Sequence, residues 1–197
     1  MIKIGILAQK NGEEIAQELY LRLTISDSKA VIVHDCQSVI SESEYLNDNG
    51  VDYMIIIFNY KEIFPVFLDI LVLDNSENEN IVSYRLVDCI RENTYLIYNT
   101  DYGYLPMIEH PKAIDYGLYP NSTVSFSSIE YNFDSVSVLL SVQRPIKSIF
   151  GNEIEIGEYR FNSINKIFAS NFIAVSVCSI LLDEHSIKNS INVNCLE

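Results

Sequence analysis

IKIGILAQKNGEEIAQELYLRL, Ile2 to Leu23, places a strand, a glycine-containing turn and a helix in that order. Ile2, Ile4 and Ile6 with Leu7 form an apolar run long enough for one buried strand and too short for a helix. After the polar turn Ala8-Gln9-Lys10-Asn11-Gly12, the residues Ile15, Ala16, Leu19, Tyr20 and Leu23 recur at helical spacing, with Glu13 and Glu14 in the first turn. A strand that turns through glycine into a helix N-terminus is a geometry that binds phosphate. The chemistry here differs. A phosphate loop needs a lysine after its last glycine and then a hydroxyl for magnesium, whereas Gly12 is followed by Glu13 and Glu14. Two carboxylates satisfy the positive end of the helix from within and repel a triphosphate. The expectation is a site filled by its own side chains.

Working outward, Ala30 to Val33 reads as a second strand and Ser38 to Leu46 as a helix ending in the turn Asn47-Asp48-Asn49-Gly50. Tyr53 to Phe58 (YMIIIF) is an unbroken apolar run, the pattern of a strand covered on both faces, and Asp69 to Leu73 is another such strand, closed by the turn Asp74-Asn75-Ser76. Ile81 to Arg91 is expected as a helix and Tyr95 to Tyr98 as a strand. Strands alternating with helices predict a parallel sheet.

From Ala113 to Phe161 the texture becomes short strands and turns, as in an antiparallel sheet. Val124 to Tyr131 and Val136 to Val142 flank Asn132-Phe133-Asp134, while Lys147 to Phe150 and Glu153 to Ile156 flank Gly151-Asn152. Ile164 to Leu182 has the length of a buried helix, and a short helix is expected near Glu184 to Ser190. The predicted class is therefore α/β. One domain over residues 1–197 comprises a parallel α/β part (1–110), antiparallel hairpins (111–162) and closing helices (163–197).

Composition bounds the function. Lys plus Arg number 13 against 27 for Asp plus Glu, a net charge of −14, which disfavours nucleic acid and anionic membrane as partners because phosphate binding rests on Lys and Arg. Cys36, Cys89, Cys178 and Cys195 have no CxxC or Cys/His spacing and read as reduced thiols of a cytoplasmic protein without structural zinc. The N-terminus is not a signal peptide, and no apolar run reaches the length of a membrane span. His34, His110 and His185 stand far apart, with surface or capping roles as their ordinary reading. Asp74, Glu77, Glu79 and Asp101 fall at or after predicted strand ends, where doubly wound sheets bind ligands. Carboxylates there are competent to hold Mg²⁺, although a solvated loop is the commoner outcome. Ser and Cys nucleophiles lack a paired base, so hydrolase chemistry has no support.

The order of these pieces resembles the central, ATP-binding domain of the Mur ligase family, enzymes that join amino acids to a carboxylate through an acyl phosphate. Ala8 to Glu14 resembles the family's Gly-Thr-Asn-Gly-Lys-Thr-Thr loop with one extra residue: Asn11 and Gly12 are kept, and Glu13 and Glu14 replace Lys and Thr. Ile57 stands where the family's third strand carries a magnesium-binding glutamate. Leu73-Asp74-Asn75 is similar to the family's Thr-Asn strand end, and Glu77-Asn78-Glu79-Asn80 stands where its Asp-His would be. Asn99-Thr100-Asp101-Tyr102 keeps two residues of the Asn-x-Asp-Asp near the adenine pocket. Ile114-Asp115-Tyr116-Gly117-Leu118 resembles the family's Tyr-Gly strand end, and Ser170-Asn171-Phe172-Ile173-Ala174-Val175 its Tyr-Asn-x-x-Ala-Ala helix.

The scaffold half of that pattern survives better than the catalytic half. The resemblance implies a P-loop-like topology, vestigial nucleotide positions at Asn11, Gly12, Asn99 and Asp101, and no catalytic or metal residue. It implies a non-catalytic binding or scaffold protein without cofactor, with the domains that flank the family's central one absent. The alternative is a divergent ATP-dependent ligase module that uses ATP and Mg²⁺ and takes its missing domains from a partner. A protein partner or a homodimer is expected through Tyr102, Tyr104, Leu105, Tyr116, Leu118 and Tyr119, a segment too apolar for a free loop and too broken by Gly and Pro for one core strand.

Overall fold

The structure, a computed structural model, describes residues 1–8, 11–34, 36–58, 66–74, 90–101, 110–118 and 120–183. Its first half contains β1 (Ile2–Ala8), α1 (Gly12–Ile25), β2 (Ala30–Val33), α2 (Cys36–Asp48), β3 (Tyr53–Phe58), β4 (Ile70–Asp74) and β5 (Tyr95–Asn99). Then follow β6 (Ala113–Gly117), β7 (Val124–Tyr131), β8 (Val136–Val142), β9 (Ile146–Lys147), β10 (Glu153–Ile154), β11 (Gly157–Asn162) and α3 (Ala169–Leu182). The main sheet has the order β11-β8-β7-β6-β5-β4-β1-β3-β2, and β9 pairs with β10 apart from it. Strand β1 lies between β3 and β4, parallel to both, so the chain runs first to one side of it and then to the other.

Alternation along the strands sorts the core into two layers. Ile4, Ile6, Ile55, Ile70, Val72 and Ile97 face the α1 and α3 side, where Ile15, Leu19, Phe172 and Val175 meet them. Leu7, Met54, Ile56, Leu71, Leu73 and Leu96 form the opposite layer with Val39 of α2 and with Val66 and Leu68. This is why YMIIIF is apolar at every position.

Three expectations shift in detail. Parallel pairing continues past residue 111: β6 is parallel to β5 and its end is parallel to the start of β7, so antiparallel pairing begins with β7 and β8. A five-residue strand alternates alike in either direction, and periodicity cannot report its sense. The C-terminal helix starts at Ala169, with Phe168 still extended (φ −65°, ψ 139°), five residues later than its apolar run. Strand β11, GEYRFN, carries a weak sequence signal, because only Tyr159 and Phe161 mark its inner face. The hairpin about Asn132-Phe133-Asp134 forms as expected; about Gly151-Asn152 the paired strands are shorter than expected, Ile146–Lys147 with Glu153–Ile154 rather than Lys147 to Phe150 with Glu153 to Ile156, and Gly151 supplies a φ of +88°. The helix expected over Ile81 to Arg91, but for Ile90 and Arg91, and that near Glu184 to Ser190 lie outside the described residues.

The delayed start of α3 has a cause on α1. Glu18, 1% exposed, accepts the Ile164 N–H on Oε1 at 2.8 Å and the Asn165 N–H on Oε2 at 3.2 Å. Arg22 Nε lies 3.3 Å from Glu18 Oε1, while its guanidinium donates to the Asn162 carbonyl and rests 4.9 Å from the centroid of Phe172. Burial pulls the Arg22 pKa down, and Glu18 opposes that shift. With its N–H groups held by a carboxylate, segment 164–165 meets α1 as a non-helical strap.

Removing one partner of a buried charge pair costs about 3–5 kcal/mol. Glu18→Ala is expected to lose that much in urea unfolding, and Glu18→Gln less, since the amide keeps one acceptor. An Ala variant within about 1 kcal/mol of the parent, below the usual cost of a buried unsatisfied group, contradicts this assignment.

Candidate functional site

The exit ends of β1, β4, β5 and β6 form the edge where a ligand would bind. Asn11 precedes α1 with φ −111° and ψ 2°, its carbonyl accepting the Ile15 N–H at 3.1 Å and its side chain making no cap. Gly12, the first helical residue, is buried. Glu13 is half exposed; Oε1 accepts from Gln17 Nε2 at 2.9 Å, and Oε2 lies 3.4 Å from His34 Nδ1.

Glu14 turns the other way. Its Oε1 accepts the Phe168 N–H at 3.3 Å and its Oε2 accepts from Asn171 Nδ2, so the carboxylate sits on the N-terminus of α3. Phe168 has no side-chain cap of its own, and Glu14 supplies one from the neighbouring helix. Ile57 is half buried and packs on the apolar cluster of the α1 and α3 side.

At the end of β5, buried Asn99 accepts the Asp101 N–H on Oδ1 at 2.8 Å. Asp101 Oδ1 accepts the Leu118 N–H at 2.7 Å. Thr100 donates both its N–H (2.9 Å) and its hydroxyl (3.1 Å) to the Tyr116 carbonyl, and its hydroxyl is also 3.1 Å from Ser122 Oγ. Asp115 accepts the N–H and the hydroxyl of Thr123.

Thus Asn99 and Asp101 come together in one turn, Asn11 and Gly12 at another. No hydrogen bond among the described residues joins the two pairs. Asp74 ends β4 beside Ala8 of β1, whereas Gln9, Lys10, Glu77 and Glu79 lie outside the described residues. Among the described residues no three His, Cys, Asp or Glu converge for a metal.

Of the segment expected to associate, Tyr116 is buried in the domain's own core, while Leu118 is 62% exposed. Tyr102, Tyr104, Leu105 and Tyr119 lie outside the described residues. His110 is a capping residue, with Nε2 2.9 Å from the Arg91 carbonyl and Nδ1 accepting the Lys112 N–H. His185, Cys89 and Cys195 lie outside the described residues, and Cys178 is a buried free thiol whose pKa burial pushes up.

Reading the sequence missed Glu18 and Arg22. The signal was present: they stand four residues apart on the same helical stripe as Ile15, Leu19 and Leu23, a polar pair on a face otherwise apolar.

A Cβ at Gly117 would fall 2.4 Å from Thr100 Oγ1 and 2.7 Å from Asp101 Oδ1. Gly117→Ala must push the Asn99–Asp101 turn outward, and overpacking of this kind costs about 1–3 kcal/mol. A urea-unfolding midpoint equal to that of the parent would show that the turn is not held against β6.

No protein-family model and no curated protein matches the chain. Solved structures do. A UDP-N-acetylmuramoyl-L-alanyl-D-glutamate–2,6-diaminopimelate ligase is similar over 94% of this chain and 44% of its own, with TM-score 0.61 and 9% identity. MurF ligase from Thermotoga maritima, in complex with ADP, is similar over 91% of this chain and 44% of its own (TM-score 0.56, 10% identity). MurF from Acinetobacter baumannii is similar over 91% and 42% (TM-score 0.54, 9% identity). The chain therefore spans less than half the length of each ligase it matches, and its fold, a mostly parallel α/β sheet continued by antiparallel strands and a C-terminal helix, is Mur-ligase-like.

Proposed function

We propose that the chain is a non-catalytic binding or scaffold protein built on a Mur-ligase-like ATP-binding domain and acting through a protein partner. One observation carries this reading: the Glu14 carboxylate, where the resemblance expects a hydroxyl for magnesium, is spent on Phe168 and Asn171. Glu13 presents a second negative charge where a lysine would neutralise phosphate. The apolar setting of Ile57 offers no oxygen to a metal. These residues do not fit a magnesium–triphosphate.

The net charge of −14 supports a partner other than nucleic acid or anionic membrane. No helix among the described residues is long and apolar enough to cross a membrane, and a cytoplasmic location belongs to this proposal. Exposed Leu118 supports an associating surface over residues 102–119. The second reading, an ATP-dependent ligase module completed by partner domains, draws support from the intact Asn99–Asp101 turn.

Calorimetric titration with Mg-ATP separates the two. The parent protein is expected to give no binding in the micromolar range, and micromolar affinity promotes the ligase module. The double variant Glu13→Lys, Glu14→Thr is expected to gain affinity for Mg-ATP while losing about 1 kcal/mol of stability with the cap on α3. Light scattering at tens of micromolar is expected to report a dimer unless the partner is another protein. A monomer that also captures no protein removes the scaffold reading.

A further inference from the structure

At the opposite end of the sheet, the entry ends of β5 and β6 face the segment from Arg144 to Gly151 across a cavity of about 640 Å³. That is within the roughly 300–1,000 Å³ typical of small-molecule sites. Four residue steps separate Tyr95, at this end of β5, from Asn99 at the exit end, about 13 Å at the rise of a strand. The cavity is thus a different place from the start of α1.

Its lining is unusual for this chain. Acidic residues outnumber basic ones 27 to 13, yet the cavity is lined by Lys112, Arg144 and Lys147 and by no carboxylate among the described residues. None of the three cations has a carboxylate within ion-pair distance among the described residues, although Glu153 stands opposite Lys147 in the β9–β10 register. Two of the three, Arg144 and Lys112, are held by neutral groups. Arg144 donates one guanidinium nitrogen to the Asn121 carbonyl at 3.1 Å. Lys112 Nζ lies 4.6 Å from the centroid of Tyr95 and 3.4 Å from the Asn93 carbonyl.

Neutral partners orient a cation without cancelling its charge. The wall behind them is fixed, since the Tyr95 hydroxyl donates to the Ser148 carbonyl at 3.0 Å. Pro111, Pro145 and Ile149 give the cavity an apolar side. Charges more than about 8 Å away are screened at physiological salt, so the local field is set by these three cations against Asp115, bonded to Thr123 of the lining, and Glu153, opposite Lys147.

We propose that this cavity binds a small phosphate-bearing molecule, its phosphate held by Lys112, Arg144 and Lys147 and its carbon skeleton lying on Pro111, Pro145 and Ile149. Arginine's fork matches a phosphate in two-point contact, and lysine adds point charge. The site is independent of the non-catalytic reading, because none of its three cations is among the residues of the exit edge of the sheet.

The test is an NMR titration of the full chain with inorganic pyrophosphate. Backbone amides of Lys112, Ala113, Thr123, Lys147 and Ser148 are expected to shift together. The double variant Arg144→Gln, Lys147→Gln alters two exposed side chains, so its thermal midpoint should match the parent's while its affinity falls at least about tenfold. Three results overturn the proposal: no shift at these amides at millimolar pyrophosphate, shifts confined to Asn11–Glu14, or binding unchanged in the double variant. Citrate binding as tightly as pyrophosphate overturns the phosphate assignment.

Discussion

A single buried carboxylate sets how the two halves of this chain meet. Glu18 stands on the inner face of α1 and accepts two backbone N–H groups from the strap between β11 and α3, with Arg22 closing over it. A lone carboxylate at that depth would be expelled or protonated, because burial penalises the charged form. Here two donors and a guanidinium answer it. The arrangement says little about net stability, since an apolar replacement of the whole cluster could serve as well. What it fixes is position. The strap has one register against α1, and α3 must therefore start at Ala169 and lie where it fills the sheet face.

Glu14 follows from the same constraint. Once the strap is tied at Glu18, the N-terminus of α3 comes to rest one turn up α1, beside Glu14, and its first N–H groups lack a cap of their own. The carboxylate then lies near two helix N-termini, that of its own helix and that of α3. The partial positive charge that a helix start presents to an anion is in both cases met by a side chain. In a phosphate-binding arrangement the start of α1 must stay open to its ligand. Here Glu14, in the first turn of α1, is tied to the start of α3, so its position is coupled to the packing of that helix.

The sequence displayed the layers of this fold and concealed its directions. YMIIIF and ILVLD announced strands covered on both sides, and the glycine in Gly151-Asn152 announced its turn, since these depend on local burial and on φ. Whether β6 runs parallel to β5 depends on a neighbour distant in sequence, which a two-residue period does not encode. The start of α3 was invisible for a similar reason: the groups that keep 164–165 out of the helix sit some 146 residues earlier on α1. At the candidate site, the loss of the lysine and hydroxyl was legible from Gly12-Glu13-Glu14. Where Glu14 went instead was not, because its partners belong to another helix.

The two ends of the sheet handle their polar groups differently, and the difference lies in the charge of the partner. At the exit end the Asp101 carboxylate takes the Leu118 N–H, Asn99 takes the Asp101 N–H, and Gly117 leaves no room for even a methyl group between them. The donors of that turn are thereby used inside the protein, and the Glu14 carboxylate is used on the start of α3. At the entry end, Arg144 and Lys112 are held by carbonyls and a ring. A carbonyl satisfies a hydrogen bond and leaves the net charge in place, whereas a carboxylate satisfies the bond and removes the charge. In a chain where carboxylates are about twice as common as cations, three cations around one cavity without an ion-pair partner among the described residues keep charge that pairing would have cancelled.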